Sequence, residues 1–314
     1  MNSKMFEVID EVKKVVIGKD EVIKKVCMAI LARGHVLLED IPGVGKTTLA
    51  LSFSKVMGLD FNRIQFTPDV MASDVVGYTI YDKNKEDFVF KQGAVMCNLL
   101  LADEINRTSS RTQAALLEAM EEKNVTVDGT TYPLPKPFHV IATQNPIGHF
   151  GTQELPQSQL DRFMIKTSIG YPDFDSQVEL LRDRQSSQPL DEISEVISKD
   201  ELLDMQDAVS RIHISDDILK YITRLTEETR NHPSIVQGVS PRGALALSHL
   251  AKANAYLQGR NFVVPEDVMD IFVDVCNHRV ILDQKHMMTE NRPSSVLEEI
   301  LQQVKTPDIS GAVV

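Results

Sequence analysis

No run of about 18 apolar residues occurs in the 314-residue chain, so the sequence offers no membrane-spanning helix. The stretch MNSKMFEVIDEVKK mixes charged and apolar residues at helical spacing and lacks the apolar centre of a secretion signal. A cytoplasmic protein is the expectation. Cysteine is scarce: Cys27, Cys97 and Cys276 are odd in number and far apart, which excludes a disulfide framework and a CxxC metal pair. They read as buried apolar thiols. A basic excess is missing too. The net charge of −12 argues against a broad nucleic-acid surface, though not against a local basic channel in a ring. The histidines, His139 and His149 among them, show no metal-ligand spacing, and there is no HExxH. Repeats and low-complexity tracts are absent. What remains, with 42% hydrophobic and 25% charged residues, is an ordinary globular chain of one large or two ordinary domains.

The first half alternates strands and helices. In EVIKKVCMAILA, the residues Ile23, Cys27, Ile30 and Leu31 share a helical face. HVLLE reads as a short buried strand, followed by a helix from about Lys46 to Met57 that stops at Gly58. FNRIQF and NLLLADE read as further strands. SSRTQAALLEAMEE is a helix capped by Ser109 or Ser110. VTVDGTTY alternates around Asp128-Gly129, a strong hairpin signal. FHVIATQN and FMIKTSI complete a mostly parallel sheet. After Tyr171-Pro172-Asp173 nearly everything is helical. Ser198 with Glu201 has capping-box spacing, Ser240-Pro241 and Pro265-Glu266 open helices, and Gly259 closes one. The expected division is 1–172 for an α/β domain and 173–314 for a smaller all-α domain. The tail KTPDISGAVV is expected to be loosely ordered.

The stretch HVLLEDIPGVGKTTLA places a strand, a tight turn and a helix in succession. This is what a phosphate-binding loop needs, because backbone N–H groups and the helix N-terminus cradle phosphate oxygens. Gly43 and Gly45 allow positive φ and close approach. Lys46 is placed to reach the β and γ phosphates and the Thr47 hydroxyl to bind Mg²⁺. Pro42, Val44 and Thr48 complete the loop. Asp40 stands where the G-x-x-x-x-G-K-[ST] pattern has its first glycine. That position begins the turn, ahead of the groups that touch phosphate, and aspartate tolerates unusual backbone angles.

Fifty-seven residues beyond Lys46, LLLADE ends an apolar strand in two acids. Asp103 is suited to holding Mg²⁺ through water and Glu104 to polarising the attacking water, provided both lie at the sheet edge where ligands bind. Asn145 in ATQNP ends another strand and could orient that water. Arg162 in QLDRF could reach a neighbouring subunit's γ-phosphate as an arginine finger. Arg242 in SPRG sits in the first turn of a helix, where a cation gains nothing from the helix dipole, a hint that it faces an anion. Asn84-Lys85-Glu86-Asp87 matches the guanine-reading NKxD pattern, but it precedes the LLLADE strand and sits between TIY and FVF as a hairpin tip would.

Together, VVIGKDEVI, LLEDIPGVGKT, LLLADEINRTSSRTQAALLEAMEE, VIATQNP, GTQELPQSQLDRF and SPRGALAL resemble the MoxR family of AAA+ ATPases over most of the chain. The acid-led LEDxPGVGKT form is familiar in that family. The resemblance implies an AAA+ P-loop parallel-sheet domain, with a helix-2 insert at about 68–92 and VTVDGTTY as pre-sensor hairpin, followed by a helical lid. It implies ATP and Mg²⁺ as cofactors. Ile17 and Gly18 would line the adenine pocket; Lys46 and Thr47 would be the Walker A residues, Asp103 and Glu104 the Walker B pair. Asn145 would be sensor 1, Arg162 the arginine finger and Arg242 sensor 2, with Arg107 a second candidate for a subunit-boundary contact. It further implies a hexameric ring, chaperone-like remodelling or metal-cofactor insertion, and a partner with a von Willebrand factor A domain. The alternatives are a magnesium-chelatase-type subunit, a nucleic-acid motor of the same branch, and a non-hydrolysing switch. Against the motor stands the hairpin tip, which carries Asp128, with Lys136 only beyond it.

Overall fold

Five short apolar runs pair as one parallel sheet. The computed structural model describes residues 2–145, 155–183, 189–283 and 292–307. Helices α1 (Asn2–Lys13) and α2 (Asp20–Leu31) precede β1 (Val36–Glu39), α3 (Lys46–Val56) and β2 (Phe61–Gln65). A short α4 (Ala72–Val76) leads into the hairpin β3 (Gly77–Asp82) and β4 (Asp87–Gln92). Then come β5 (Leu99–Asp103), α5 (Ser110–Glu122), the hairpin β6 (Asn124–Val127) and β7 (Thr130–Pro133), β8 (His139–Gln144), α6 (Gln157–Leu160) and β9 (Ile165–Thr167). The order across the sheet is β2-β5-β8-β1-β9. From β1 the chain runs to the far edge and returns, then places β9 on the other side of β1. That reversal opens a crevice at the carboxyl end of β1, where open parallel sheets bind ligands.

The central strands β5, β8 and β1 are covered on both faces, which is why they read as mainly apolar runs, whereas the edge strands β2 and β9 carry polar residues. Along β5, Leu99 and Leu101 face one buried cluster, with α1, α2 and α3, while Leu100 and Ala102 face another, with α5 and Phe163. The hairpin tips match their turn chemistry. Asp128 and Gly129 both have positive φ, at 49° and 81°, while Asn84, Lys85 and Glu86 turn between β3 and β4 and Asp87 begins β4. Cys27, Cys97 and Cys276 are buried thiols, each pushed up to about 12 by burial.

Beyond β9 the chain forms α7 (Phe174–Asp183), α8 (Pro189–Glu192), α9 (Lys199–Ser210), α10 (Asp216–Asn231), α11 (Pro241–Leu257), α12 (Pro265–Cys276) and a last helix, Pro293–Gln303. Ser198 caps α9 with Glu201 reciprocating, and Ser240 caps α11 with Pro241 at its first position. Two short strands, β10 (Ile235–Gln237) and β11 (Ile281–Leu282), pair antiparallel and depart from the all-helical expectation. They are too short for period-2 patterning to show. The cluster around α1–α3 continues into α9, α11 and α12, so the two halves share one core.

Two buried histidines mark that junction at the amino edge of the sheet. His35 Nδ1 accepts the Val140 N–H at 2.9 Å and its Nε2 faces the Met120 carbonyl at 3.3 Å. His139 Nδ1 faces the Gly34 carbonyl at 3.0 Å, and its Nε2 meets the Gln206 amide of α9 at 2.9 Å. Burial pushes His35 down to about 3 and His139 down to about 4. Both rings stay neutral in the folded chain while the unfolded chain takes up protons below about pH 6.5. Stability is therefore complete above that value and falls as the pH drops toward 4, with a slope approaching roughly 2.7 kcal/mol per pH unit from the two groups. Urea denaturation at pH 7, 6 and 5 will show the decline. Equal stability at all three would mean that the rings are protonated in the fold.

Candidate nucleotide site

The loop between β1 and α3 is shaped by two glycines. Gly43 and Gly45 have φ of 88° and 95°, a region that L side chains rarely adopt, and a Cβ on either would meet no atom within 4 Å. They are thus required by backbone conformation, with open room in front of them. Lys46, the first residue of α3, is buried, and its Nζ donates to the carbonyls of Asp40 at 2.8 Å and Ile41 at 3.3 Å. Burial lowers its pKa, opposed by the nearby Asp40, Asp103 and Glu104. Val44 packs against the core, while Thr47 leaves its hydroxyl in the first turn of α3.

Asp40 has a structural task. Its buried carboxylate accepts from the Ser168 hydroxyl at 2.8 Å and from the N–H groups of Ile169 and Gly170 at 2.6 and 3.0 Å. It ties the end of β1 to the segment that leaves β9. The same segment reaches the turn between α1 and α2: Lys19 Nζ donates to the Tyr171 carbonyl at 2.7 Å, and Gly18 lies so close to Ser176 that a Cβ would stand 2.1 Å from its Oγ. Ile17 and Gly18 are thereby held at the same edge as the loop.

Asp103 and Glu104 end β5 beside it. Asp103 accepts from Thr143 Oγ1 at 2.6 Å and from Arg63 Nη2 at 2.7 Å. Glu104 has a left-handed backbone, φ 56°, and its N–H donates to Thr143 Oγ1 at 2.8 Å. A strained non-glycine residue over-determined by its neighbours is a mark of functional sites. Its carboxylate is clamped on both sides, by Asn145 Nδ2 at 3.0 Å and by Arg107 Nη1 at 2.8 Å. Asn145 is buried, and its Oδ1 has no hydrogen-bond partner. Thr143, Arg63 and the clamp by Arg107 escaped the sequence reading. Parallel pairing of β5 with β8 was the available signal, since Ala102 lies opposite Ala142 and so brings Thr143 to Asp103. Pro146 and the GTQE motif residues lie outside the described residues.

The structure separates the remaining arginines from this group. Arg162 comes three residues before β9, whose first residue Ile165 pairs with Val36, the first residue of β1. It therefore lies at the amino edge of the sheet. Arg242 Nη2 donates to Glu121 Oε1 at 2.5 Å, and Arg162 Nε is 4.0 Å from Glu121 Oε2. Glu121 belongs to the last turn of α5, whose 13 residues span about 20 Å from the catalytic edge to the amino edge. Arg242 therefore does not join the loop of its own chain. Arg107, a candidate for contact across a subunit boundary, binds Glu104 of its own chain.

The residues fit ATP with Mg²⁺. The loop is open, a lysine opens its helix, and Thr47 and Asp103 are oxygen donors of the kind Mg²⁺ uses alongside phosphate and water. Among the described residues no cluster of three His, Cys, Asp or Glu could hold a metal without such help.

A family model described as the ATPase family associated with various cellular activities matches residues 35–165, and an AAA lid model matches 227–300. The Chaperone MoxR1 of Mycobacterium tuberculosis is 37% identical over 312 residues, covering 96% of this chain and 82% of the relative. The chain belongs to the MoxR family of AAA+ ATPases. As such it is an ATPase, with the AAA+ sheet domain and helical lid of that family. This MoxR chain is also 43% identical to the uncharacterized protein YeaC of Bacillus subtilis, over 97% of its own length and 95% of YeaC. A crystal structure of a Cytophaga hutchinsonii protein superimposes with a TM-score of 0.91 at 40% identity, covering 98% of this chain and 96% of that one.

Replacing Asp40 by glycine would restore the usual phosphate-loop spelling. It would also strip three donors of their acceptor, so Asp40→Gly is expected to cost about 3 kcal/mol of stability. Chemical denaturation of the variant checks this; unchanged stability would show that the tie to 168–170 is dispensable.

Proposed function

We propose that this MoxR ATPase works as a ring of identical copies, hexameric as the family resemblance implies, and hydrolyses Mg-ATP where two copies meet. It would use the cycle to remodel or mature a protein client in the cytoplasm. The observation that carries the reading is the separation of charges: Lys46, Asp103, Glu104 and Asn145 stand at the carboxyl edge of the sheet, Arg162 and Arg242 at the amino edge. Strands of this length hold the two edges more than 10 Å apart, at about 3.3 Å per residue. A head-to-tail contact between copies would bring one chain's arginines to the next chain's phosphates, and such contacts form a ring where the rotation between copies closes.

Bound Mg-ATP supplies the transferable phosphoryl group. In this reading the Gly43–Thr48 backbone and Lys46 hold its phosphates, Thr47 and Asp103 hold the ion, and Ile17 and Gly18 flank the base. Glu104 accepts a proton from the attacking water, which Asn145 orients. The neighbour's Arg162 and Arg242 neutralise charge on the phosphoryl group. A client-directed role is supported by the relative named a chaperone and by the hairpin β3–β4, where Tyr81 and Phe88 are 52% and 70% exposed and pack edge-to-face at 5.5 Å. A von Willebrand factor A domain protein is the partner that the resemblance suggests. A nucleic-acid motor is disfavoured by Asp128 at the tip of β6–β7 and by the net charge of −12.

ATP turnover per subunit, measured with Mg²⁺ over a range of protein concentrations, tests the reading. Wild-type turnover should rise with concentration and Arg162→Ala should stay flat. Glu104→Gln should bind ATP normally but turn it over roughly 100-fold more slowly. Constant turnover, with Arg162→Ala unaffected, would mean that each copy works alone.

A further inference from the structure

Two like charges seldom stand side by side without a third group between them. Here that group is Glu121, with one carboxylate oxygen on Arg242 and the other toward Arg162. Its placement is not explained by helix stability, because a carboxylate in the last turn of a helix opposes the dipole. Nor is it explained by fold stability. The side chains of Glu121, Arg162 and Arg242 are 39%, 31% and 42% exposed, and ion pairs this exposed add little.

Docking of the lid against the sheet domain is provided elsewhere. Asp161 accepts from Ser240 Oγ at 2.8 Å and from the buried Arg279 Nε at 2.7 Å. Those contacts set the backbones that carry Arg162 and Arg242 without help from Glu121. What Glu121 adds is the aim of two long side chains. For Arg162 the hold is electrostatic: its Nε makes no hydrogen bond and lies 4.0 Å from the Glu121 carboxylate.

We propose that Glu121 is a positioning residue that gathers Arg162 and Arg242 into a pair, so that both reach the nucleotide of a neighbouring copy together. The proposal rests on hydrolysis between copies, as argued above. Glu121 would touch no phosphate itself. It would act only on the next subunit's site, through the two guanidinium groups.

Glu121→Gln keeps the shape and removes the charge. We expect turnover to fall about 10-fold, in the range of losing part of a charge-stabilising contact. The affinity for a fluorescent ATP analogue and the melting temperature should stay at wild-type values, because the variant's own loop is untouched. Mixing subunits before assembly then locates the defect. Arg162→Ala mixed equally with Glu104→Gln should regain roughly a quarter of wild-type turnover, the share of head-to-tail boundaries that pair an intact site with an intact arginine face. Glu121→Gln mixed with Glu104→Gln should recover likewise, whereas Glu121→Gln mixed with Arg162→Ala should not, since both lack the same face. Wild-type turnover in Glu121→Gln overturns the proposal. So does a loss that comes with weaker nucleotide binding or a lower melting temperature, and so does recovery with Arg162→Ala. If the Arg162→Ala and Glu104→Gln mixture itself fails to recover, hydrolysis between copies is refuted and the role of Glu121 falls with it.

Discussion

Every strand of the central sheet runs the same way, and the rest of the molecule follows from that constraint. Parallel strands put all their carboxyl ends on one edge, so Glu39, Asp103 and Gln144 arrive there together at the ends of β1, β5 and β8. The same direction puts the residues that enter the strands on the opposite edge. Arg162 enters β9, and the amino-edge residues His35 and His139 enter β1 and β8. A chain built this way cannot bring its own Arg162 to its own phosphate loop without breaking the sheet. The distance of Arg162 from its own loop is thus a property of strand direction, and α5 carries Glu121 to the same far edge.

Buried polar ties hold the helical half in register with this sheet. Gln206 of α9 donates to the Ile30 carbonyl at 2.8 Å and meets His139, while Arg279 reaches the Met164 carbonyl at 3.1 Å as well as Asp161. A buried guanidinium needs several acceptors to offset its desolvation, and the loop before β9 supplies them. Because that loop also carries Arg162, the position of the lid and the position of the arginine face are coupled through Asp161. Any movement of α11 relative to the sheet would move Arg242 and disturb Arg162 through their shared carboxylate.

Much of this was legible in the residues, and the reasons for the exceptions are physical. GVGKT, the acid-ended LLLADE strand and the capped helices are local signals, set by backbone angles and neighbours in sequence, and they fall where local chemistry predicts. Asp40 was read as a tolerated departure, but its partners lie 128 to 130 residues away, so its role as a tie could not be seen locally. Arg63, Thr143 and Glu121 escaped for the same reason: each acts through a residue tens of positions distant. The pairing of β10 with β11 was hidden by length, since two or three residues show no alternation. The pairing of Arg107 with Glu104 is not visible in EINR itself, because it needs the left-handed turn at Glu104 that folds Arg107 back onto the carboxylate three residues earlier.

The charge balance of the carboxyl edge is nearly neutral before any nucleotide arrives. Around the loop Lys46, Arg63 and Arg107 face Asp40, Asp103 and Glu104, with Arg63 on Asp103 at 2.7 Å and Arg107 on Glu104 at 2.8 Å, and Glu39 at the end of β1 is matched by Lys166 at 3.2 Å. Only Lys46 has no carboxylate within ion-pairing distance among the described residues, because it bonds to carbonyl groups instead. A triphosphate brings several negative charges into this near-neutral setting, and more develops toward the leaving group as the bond breaks. One lysine and a helix N-terminus cannot balance that in a partly desolvated crevice. In the proposed ring the deficit would be met by a divalent cation on one side and by two arginines of the next copy on the other. The sheet holds Arg162 and Arg242 at the edge opposite their own loop, so in that reading assembly and hydrolysis would answer the same electrostatic need.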